Sequence, residues 1–195
     1  MTLKSAPIEK EKKSKFYLEF ESITNEIVNF SNKFKLDLKE DFNSYFLNFE
    51  INGSYENSEI KIKGERKLIN VSSGFIPKDS VYQEIIDFKT KTSIQSFNKI
   101  RLERKNLFRL LSNKFTNKKS IKINDRFQIV SKNKNLLNKV VKITPELEKL
   151  IDYKLNKLEF NENGFMNLRF LKMIRTEKDW DELLLTIFKI KRQVR

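Results

Sequence analysis

Glu59 and Lys61 stand two residues apart in the segment SEIKIK, a spacing that puts both side chains on one face of a strand. A carboxylate and an ammonium so placed can, with a further acid, hold Mg²⁺ and organise an attacking water for phosphodiester cleavage. The upstream acid would be Asp41, 18 residues earlier. An alternating strand that turns its charges to solvent explains the same residues equally well. Asp179, Asp181 and Glu182 also crowd together, but acids at the start of a helix answer its dipole. The chain has no His and no Cys. That removes the commonest general base, thiolate nucleophiles, disulfides and the usual transition-metal ligands. Its four glycines, at 53, 64, 74 and 164, are too scattered for a phosphate-binding loop or a dinucleotide fingerprint. No EF-hand loop is present either. Catalytic, metal and cofactor sites are therefore not expected.

Cations offer a different chemistry. The stretch KIRLERKNLFRLLSNKFTNKKSIK, residues 99–122, contains nine basic residues and one acid, Glu103. Extended to residue 142, the window holds fourteen basic and two acidic side chains, against a net charge of +14 for the whole chain. The flanking segments are close to neutral. A compositional bias toward Lys enriches cations everywhere but does not remove Asp and Glu, so the acid depletion is the more informative half. Lys99, Arg101, Arg104, Lys105, Arg109, Lys114, Lys118, Lys119 and Lys122 are the candidate binding residues. They form either a solvated basic face or a docking surface for an acidic protein, phosphate or anionic lipid. If they dock a partner, their charges should converge in space. Phe108, Phe115 and Phe127 lie among them, as stacking aromatics would in a single-strand binder, but the first two also fit the apolar stripe of their own segment. No RNP-type aromatic motif, GXXG loop or zinc-finger spacing accompanies the charge, so a nucleic acid would be held by its backbone alone.

Elements that could position these residues are readable from periodicity. Phe16, Phe20, Ile23, Ile27, Phe30 and Phe34 step by four and three, which predicts a helix over 9–35. Its Phe-rich seam favours packing within one chain over a dimeric coiled coil. After KLDLKED the period becomes two: Phe49 and Ile51, then Ile60 and Ile62, with NGS as a turn between them. Gly64, VSSG and Pro77 mark a loop near 70–80. VYQEIIDFKTK, FNKIRLER, SIKIN and RFQIVSK read as strands, the last two joined at Asn124-Asp125. Residues 106–115 suit a short helix or, alternatively, a strand, and NKNLLNKVVK a helical turn or two. Thr144 is placed as the N-cap of a helix near 145–156 with Pro145 at its first position and Leu147, Leu150, Ile151 and Leu155 inward. KLEFNENGFMNLRF predicts a hairpin turning at Asn163-Gly164, with Leu158 and Phe160 facing Leu168 and Phe170. Thr176, with Asp179 in a capping box, begins a closing helix that buries Trp180, Leu184, Ile187 and Val194.

The expected fold class is α+β, a mainly antiparallel sheet with a long N-terminal helix, a capped helix near 145–156 and a C-terminal helix. Residues 1–8 are expected to be a flexible N-terminus and 9–195 a single domain. The order of elements over residues 121–190, FQIVSKN, a capped TPEL helix, a hairpin and a Leu-rich helix, resembles uncharacterised bacterial α+β domains. The entry INGSYENSEIKI is similar to theirs as well. That resemblance implies the fold and brings no site residues. MTLKSAPIEKEKKSK has no apolar core of a secretory signal, so a cytoplasmic location is the expectation and the sequons at Asn52 and Asn70 carry little weight. LLLTIFKIKRQVR joins an apolar stripe to cations as interfacial helices do, but Trp180 and Leu184 are needed by the core, which argues against a membrane surface. The function expected is that of a non-enzymatic, monomeric bacterial binding protein, of adaptor or immunity type, that docks an acidic protein partner on the basic face of residues 99–142. The alternative is a nucleic-acid-binding protein making mainly phosphate contacts, and after it a metal-dependent nuclease.

Overall fold

The computed structural model describes residues 9–69, 82–92, 100–104, 119–131, 137–138, 141–161 and 163–193, with 10, 11, 100, 103 and 104 as backbone only. Among the described residues, three helices longer than a single turn and a nine-stranded sheet make an α+β fold, as the periodicities require. The expectations for 1–8, for the loop near 70–80, for the helix over 106–115 and for Val194 fall outside the described residues.

A short helical turn at Glu9–Lys12 precedes α1, Lys15–Lys33. The break falls at Ser14, whose hydroxyl accepts a hydrogen bond from the Tyr17 amide at 3.0 Å and so caps one of the free N–H groups of the new helix. Phe20, Ile23, Ile27 and Phe30 are buried within the single chain, so the seam is part of the chain's own core. Phe16 is the exception: Tyr17 takes the inward position in the first turn and Phe16 is partly exposed.

The strands are β1 (Asp37–Phe42), β2 (Phe46–Tyr55), β3 (Ser58–Leu68), β4 (Tyr82–Lys91), β5 (Ile100–Arg104), β6 (Lys119–Lys122), β7 (Phe127–Ser131), β8 (Leu155–Phe160) and β9 (Phe165–Phe170). Their order across the sheet is β1-β2-β3-β4-β9-β8-β5-β7-β6, every neighbouring pair antiparallel. β4 and β5, adjacent in sequence among the described strands, are separated in space by the β8–β9 hairpin.

Several local expectations need correction. KLDLKED contains an edge strand, β1, whose charged alternation conceals it. NGS lies inside β2 and is not a turn. Leu36 packs so close to Gly53 that a Cβ there would lie 2.6 Å from its Cδ2. The hairpin instead reverses at Glu56 and Asn57, both at positive φ (48° and 57°), the backbone a two-residue turn between twisted strands demands. Gly64 is likewise inside a strand, where the Phe49 ring lies across it; a Cβ would fall 2.0 Å from the ring.

The helix α2 spans Thr144–Asp152, and its cap position is held by Ile143 with no side-chain cap. Burial of Ile143 in the core takes the place that Thr144 would have filled as N-cap. The helix ends three residues before Leu155, which opens β8. Leu158 faces Leu168 as expected, but Phe160 faces Met166 and Phe170 pairs with Leu155. A loop one residue longer than Asn-Gly, ending on Gly164 at φ 71°, and a bulge between Leu155 and Lys157 shift that register.

The third helix, α3, runs from Glu177 to Gln193. Thr176 Oγ1 accepts from the Asp179 amide at 3.1 Å, which is the N-cap read from the sequence, and the Asp179 carboxylate accepts from that hydroxyl at 2.8 Å. Trp180 stacks on Phe30 of α1 with ring centroids 5.3 Å apart and meets Phe49 of β2 edge-on. Leu183, Leu184, Ile187, Phe188 and Ile190 are all buried, so the apolar stripe of α3 is spent on the core. No described helix is long and apolar enough to cross a membrane.

Three charged side chains are drawn inside among the described residues, Arg66, Glu146 and Lys191. Continuing the inward alternation of Ile60, Ile62 and Gly64, Arg66 is only 3% exposed. Its guanidinium forms ion pairs with Glu19 of α1 (2.9 Å) and Glu84 of β4 (3.0 Å) and lies against the rings of Tyr82 and Phe20, which themselves meet edge to face. Arg175, just before α3, pairs with the same two carboxylates. The cluster ties both long helices to the sheet.

Candidate partner-binding face

Alternation leaves one face of the sheet to the helices and turns the other residues of each strand away from them. On that second face the register lines up Asn52, Lys61, Lys89, Asn167, Glu159 and Arg101 across six strands. The next row holds Glu50, Lys63, Asp87, Arg169 and Lys157. Between them lies a shallow concavity of about 410 Å³ on whose rim five cations, Lys61, Lys63, Lys89, Lys157 and Arg169, surround one acid, Asp87.

Two of the cross-strand pairs here oppose like charges directly: Lys61 with Lys89, and Lys157 with Arg169. Such pairs cost stability in a sheet, and the protein offsets them with interleaved carboxylates. Glu50 bridges Lys61 at 2.8 Å and Lys63 at 3.0 Å. These two ammonium groups, first Lys61 and then Lys63, hold Glu50 down at about 2, so it stays ionised at any ordinary pH. Asp87 receives a two-pronged contact from Arg169 at 2.7 and 2.9 Å, and it raises the pKa of that guanidinium further. Glu159 sits between Lys157 (2.8 Å) and Arg101 (3.6 Å). Lys89 has no carboxylate partner among the described residues; its ammonium lies 4.1 Å from the centre of the Phe165 ring.

The cations expected from the sequence meet this face only in part. Arg101 lies at its margin and is exposed. Lys122 shares the face, two strands farther on, where it pairs with Asp125 at 2.7 Å. Lys119 is exposed but points the other way, since it is an odd step along β6 from Lys122. Arg104 lies in β5 opposite Phe127. Lys99, Lys105, Arg109, Lys114 and Lys118 lie outside the described residues. Among those described, Arg101 and Lys122 point to the same side of the sheet with the buried Val130 and Gln128 of β7 between their strands, and Lys119 points to the other.

What the charge count missed is the larger set. Lys61, Lys63, Lys89, Lys157 and Arg169 come from segments whose net charge is near zero. A signal did exist: Lys at every second position, 61 and 63, then 89 and 91, marks one face of a strand.

The remaining candidates separate. Asp41 faces Asn48, which faces Glu65; Glu59 is six residues farther along β3, roughly 20 Å away. The acid pair needed for metal-assisted cleavage is not assembled. No group of three or more acids that could hold a metal occurs among the described residues. Asp179 accepts from the capping hydroxyl of Thr176 at the start of α3, Asp181 binds Lys33 of α1, and Glu182 accepts from the Tyr153 hydroxyl at 3.1 Å.

No family model, curated protein or solved structure matches the chain.

Proposed function

We propose that this is a non-enzymatic, monomeric binding protein, of the bacterial adaptor or immunity type, whose open sheet face receives an acidic protein partner. The basic face of residues 99–142 contributes Arg101 and Lys122, and β3, β4, β8 and β9 contribute the rest. One observation carries the reading. Like charges directly opposed in a sheet contradict the local rules of sheet stability, and such conflicts are expected where function demands them.

Interleaved carboxylates favour a protein over the alternative, a nucleic acid. Asp87, Glu50 and Glu159 would each repel a phosphate backbone, whereas a protein surface can present cations and anions in the complementary order. Glu50 then acts as an internal competitor, holding Lys61 and Lys63 until a partner carboxylate replaces it.

An Asp- and Glu-rich peptide is expected to bind in fluorescence anisotropy, more weakly as salt rises. Lys61→Glu with Lys89→Glu should abolish that binding and leave the melting curve in place, since exposed charges contribute about 0–1 kcal/mol. Glu50→Gln should tighten it severalfold. Binding that is indifferent to all three changes would overturn the proposal. Preference for single-stranded DNA, with a logarithmic salt slope of roughly −0.7 per phosphate, would replace it by the nucleic-acid reading. Magnesium-dependent cleavage lost in Glu59→Gln would reinstate an enzyme.

A further inference from the structure

A second concavity, about 350 Å³, lies at the end of the sheet where α2 turns into β8 and β6 turns into β7. Its chemistry differs from that of the open face. Phe127, Leu155 and Ile151 supply apolar walls, and Leu171 stands beside them half exposed. Arg126, Lys154 and Lys172 supply the charge. Among the described residues none of the three has a carboxylate partner, and none of those lining the cleft is an acid. Asp125 and Asp152 adjoin lining residues in the chain, and Asp125 is held by Lys122.

Two features of the backbone make the cleft. Lys154 adopts φ 63°, a left-handed conformation that is unfavourable for a residue with a Cβ and that Gly adopts freely. Retaining Lys there sets its ammonium on the rim at a cost that Gly would avoid. The bulge between Leu155 and Lys157 leaves Asn156 as an extra residue in the wall, where such a bulge bends its strand. The Leu171 amide, bonded to the Lys154 carbonyl at 3.1 Å, fixes the two sides against each other.

We propose that this cleft binds a small organic carboxylate with an apolar body, such as a medium-chain or arylalkanoic acid. The body would lie on Phe127, Leu155 and Leu171, and the carboxylate would meet Arg126, Lys154 and Lys172. Its size falls in the range of small-ligand sites, and an apolar floor with a few convergent polar groups is their usual composition. A charge-assisted contact with unpaired cations is the kind that gives such a site its specificity.

Octanoate is the probe, titrated into the full chain and followed by backbone amide shifts. Saturable shifts are expected at Asn124–Phe127, Lys154–Asn156 and Leu171–Lys172. Octanol should produce none, because it lacks the charge. Lys154→Gly combined with Lys172→Gln should weaken octanoate about tenfold, the equivalent of one charge-assisted hydrogen bond. The Gly relieves the left-handed backbone, so this variant should melt no lower than the parent. The Lys61→Glu and Lys89→Glu protein should bind octanoate normally, which separates this site from the open face. Absence of saturable shifts, equal shifts with octanol, or unchanged affinity in the Lys154 and Lys172 variant would each overturn the proposal.

Discussion

Ile27→Asp is expected to leave no cooperatively folded domain in water at 25 °C. Ile27 is fully buried on the inner stripe of α1, within the cluster that joins that helix to the sheet and to α3. Removing its side chain costs about 2–5 kcal/mol, and an unpaired carboxylate in the same place adds several more. Domains of this kind have only about 5–15 kcal/mol in total. Leu18→Asp on the same helix provides the contrast: Leu18 is 51% exposed, and its change should stay within about 0.5 kcal/mol. Urea titration followed by circular dichroism measures both. A Ile27→Asp protein with the parental midpoint would show that the seam is not part of the core.

Arg66→Met should cost about 3 kcal/mol. Breaking a buried charge cluster by removing one member typically costs 3–5 kcal/mol, and the lower end applies because Arg175 continues to hold both Glu19 and Glu84. Adding Glu84→Gln should return part of the loss, since it removes the carboxylate left short of a partner. Simple additivity of the two changes would show that the residues act independently. The cluster also predicts a pH dependence. Burial raises the pKa of Glu19, but Arg66 and Arg175 outweigh it and hold the group below its ordinary 4.5. A depressed carboxyl pKa contributes stability that is present above pH 4.5 and lost as pH falls through the lower folded value. Arg66→Met removes part of that contribution, so the gap between variant and parent should narrow on acidification below pH 4.5. A gap that widens would contradict the assignment.

These charges show how far local pattern reaches. The inward place of Arg66 could be read from the sequence, because Ser58, Ile60, Ile62, Gly64 and Arg66 continue one alternation. Thr176 with Asp179, the seam of α1, the Leu-rich stripe of α3 and the strands at 82–91, 119–122 and 127–131 are legible for the same reason. Each depends on a period of 3.6 or 2, or on a cap closed within three residues, and so on interactions between near neighbours in the chain. The edge strand β1 was hidden by the same reasoning: with charges at alternate positions and little apolar surface, Asp37–Phe42 resembles a loop.

Tertiary structure alone decided what stands beside what. β4 and β9 pair although Lys91 and Phe165, directly opposite each other, are 74 residues apart in the chain. The β8–β9 hairpin enters between strands that lie much earlier in the chain, and no residue near Lys91 or Ile100 announces it. Turn positions followed packing over composition: Leu36 and Phe49 demanded Gly53 and Gly64 inside strands, and the reversal fell to Glu56 and Asn57. The charge was redistributed in the same way. Net charge along the sequence singles out residues 99–142, whereas the concavity on the open face is lined by cations from segments that are neutral on average. Alternation sends the Lys of a strand to one face and its Ile and Phe to the other, and strand order then decides which lysines become neighbours. Side-chain direction is a property of the local backbone and can be read in sequence; adjacency between strands is set by burying the apolar face as a whole.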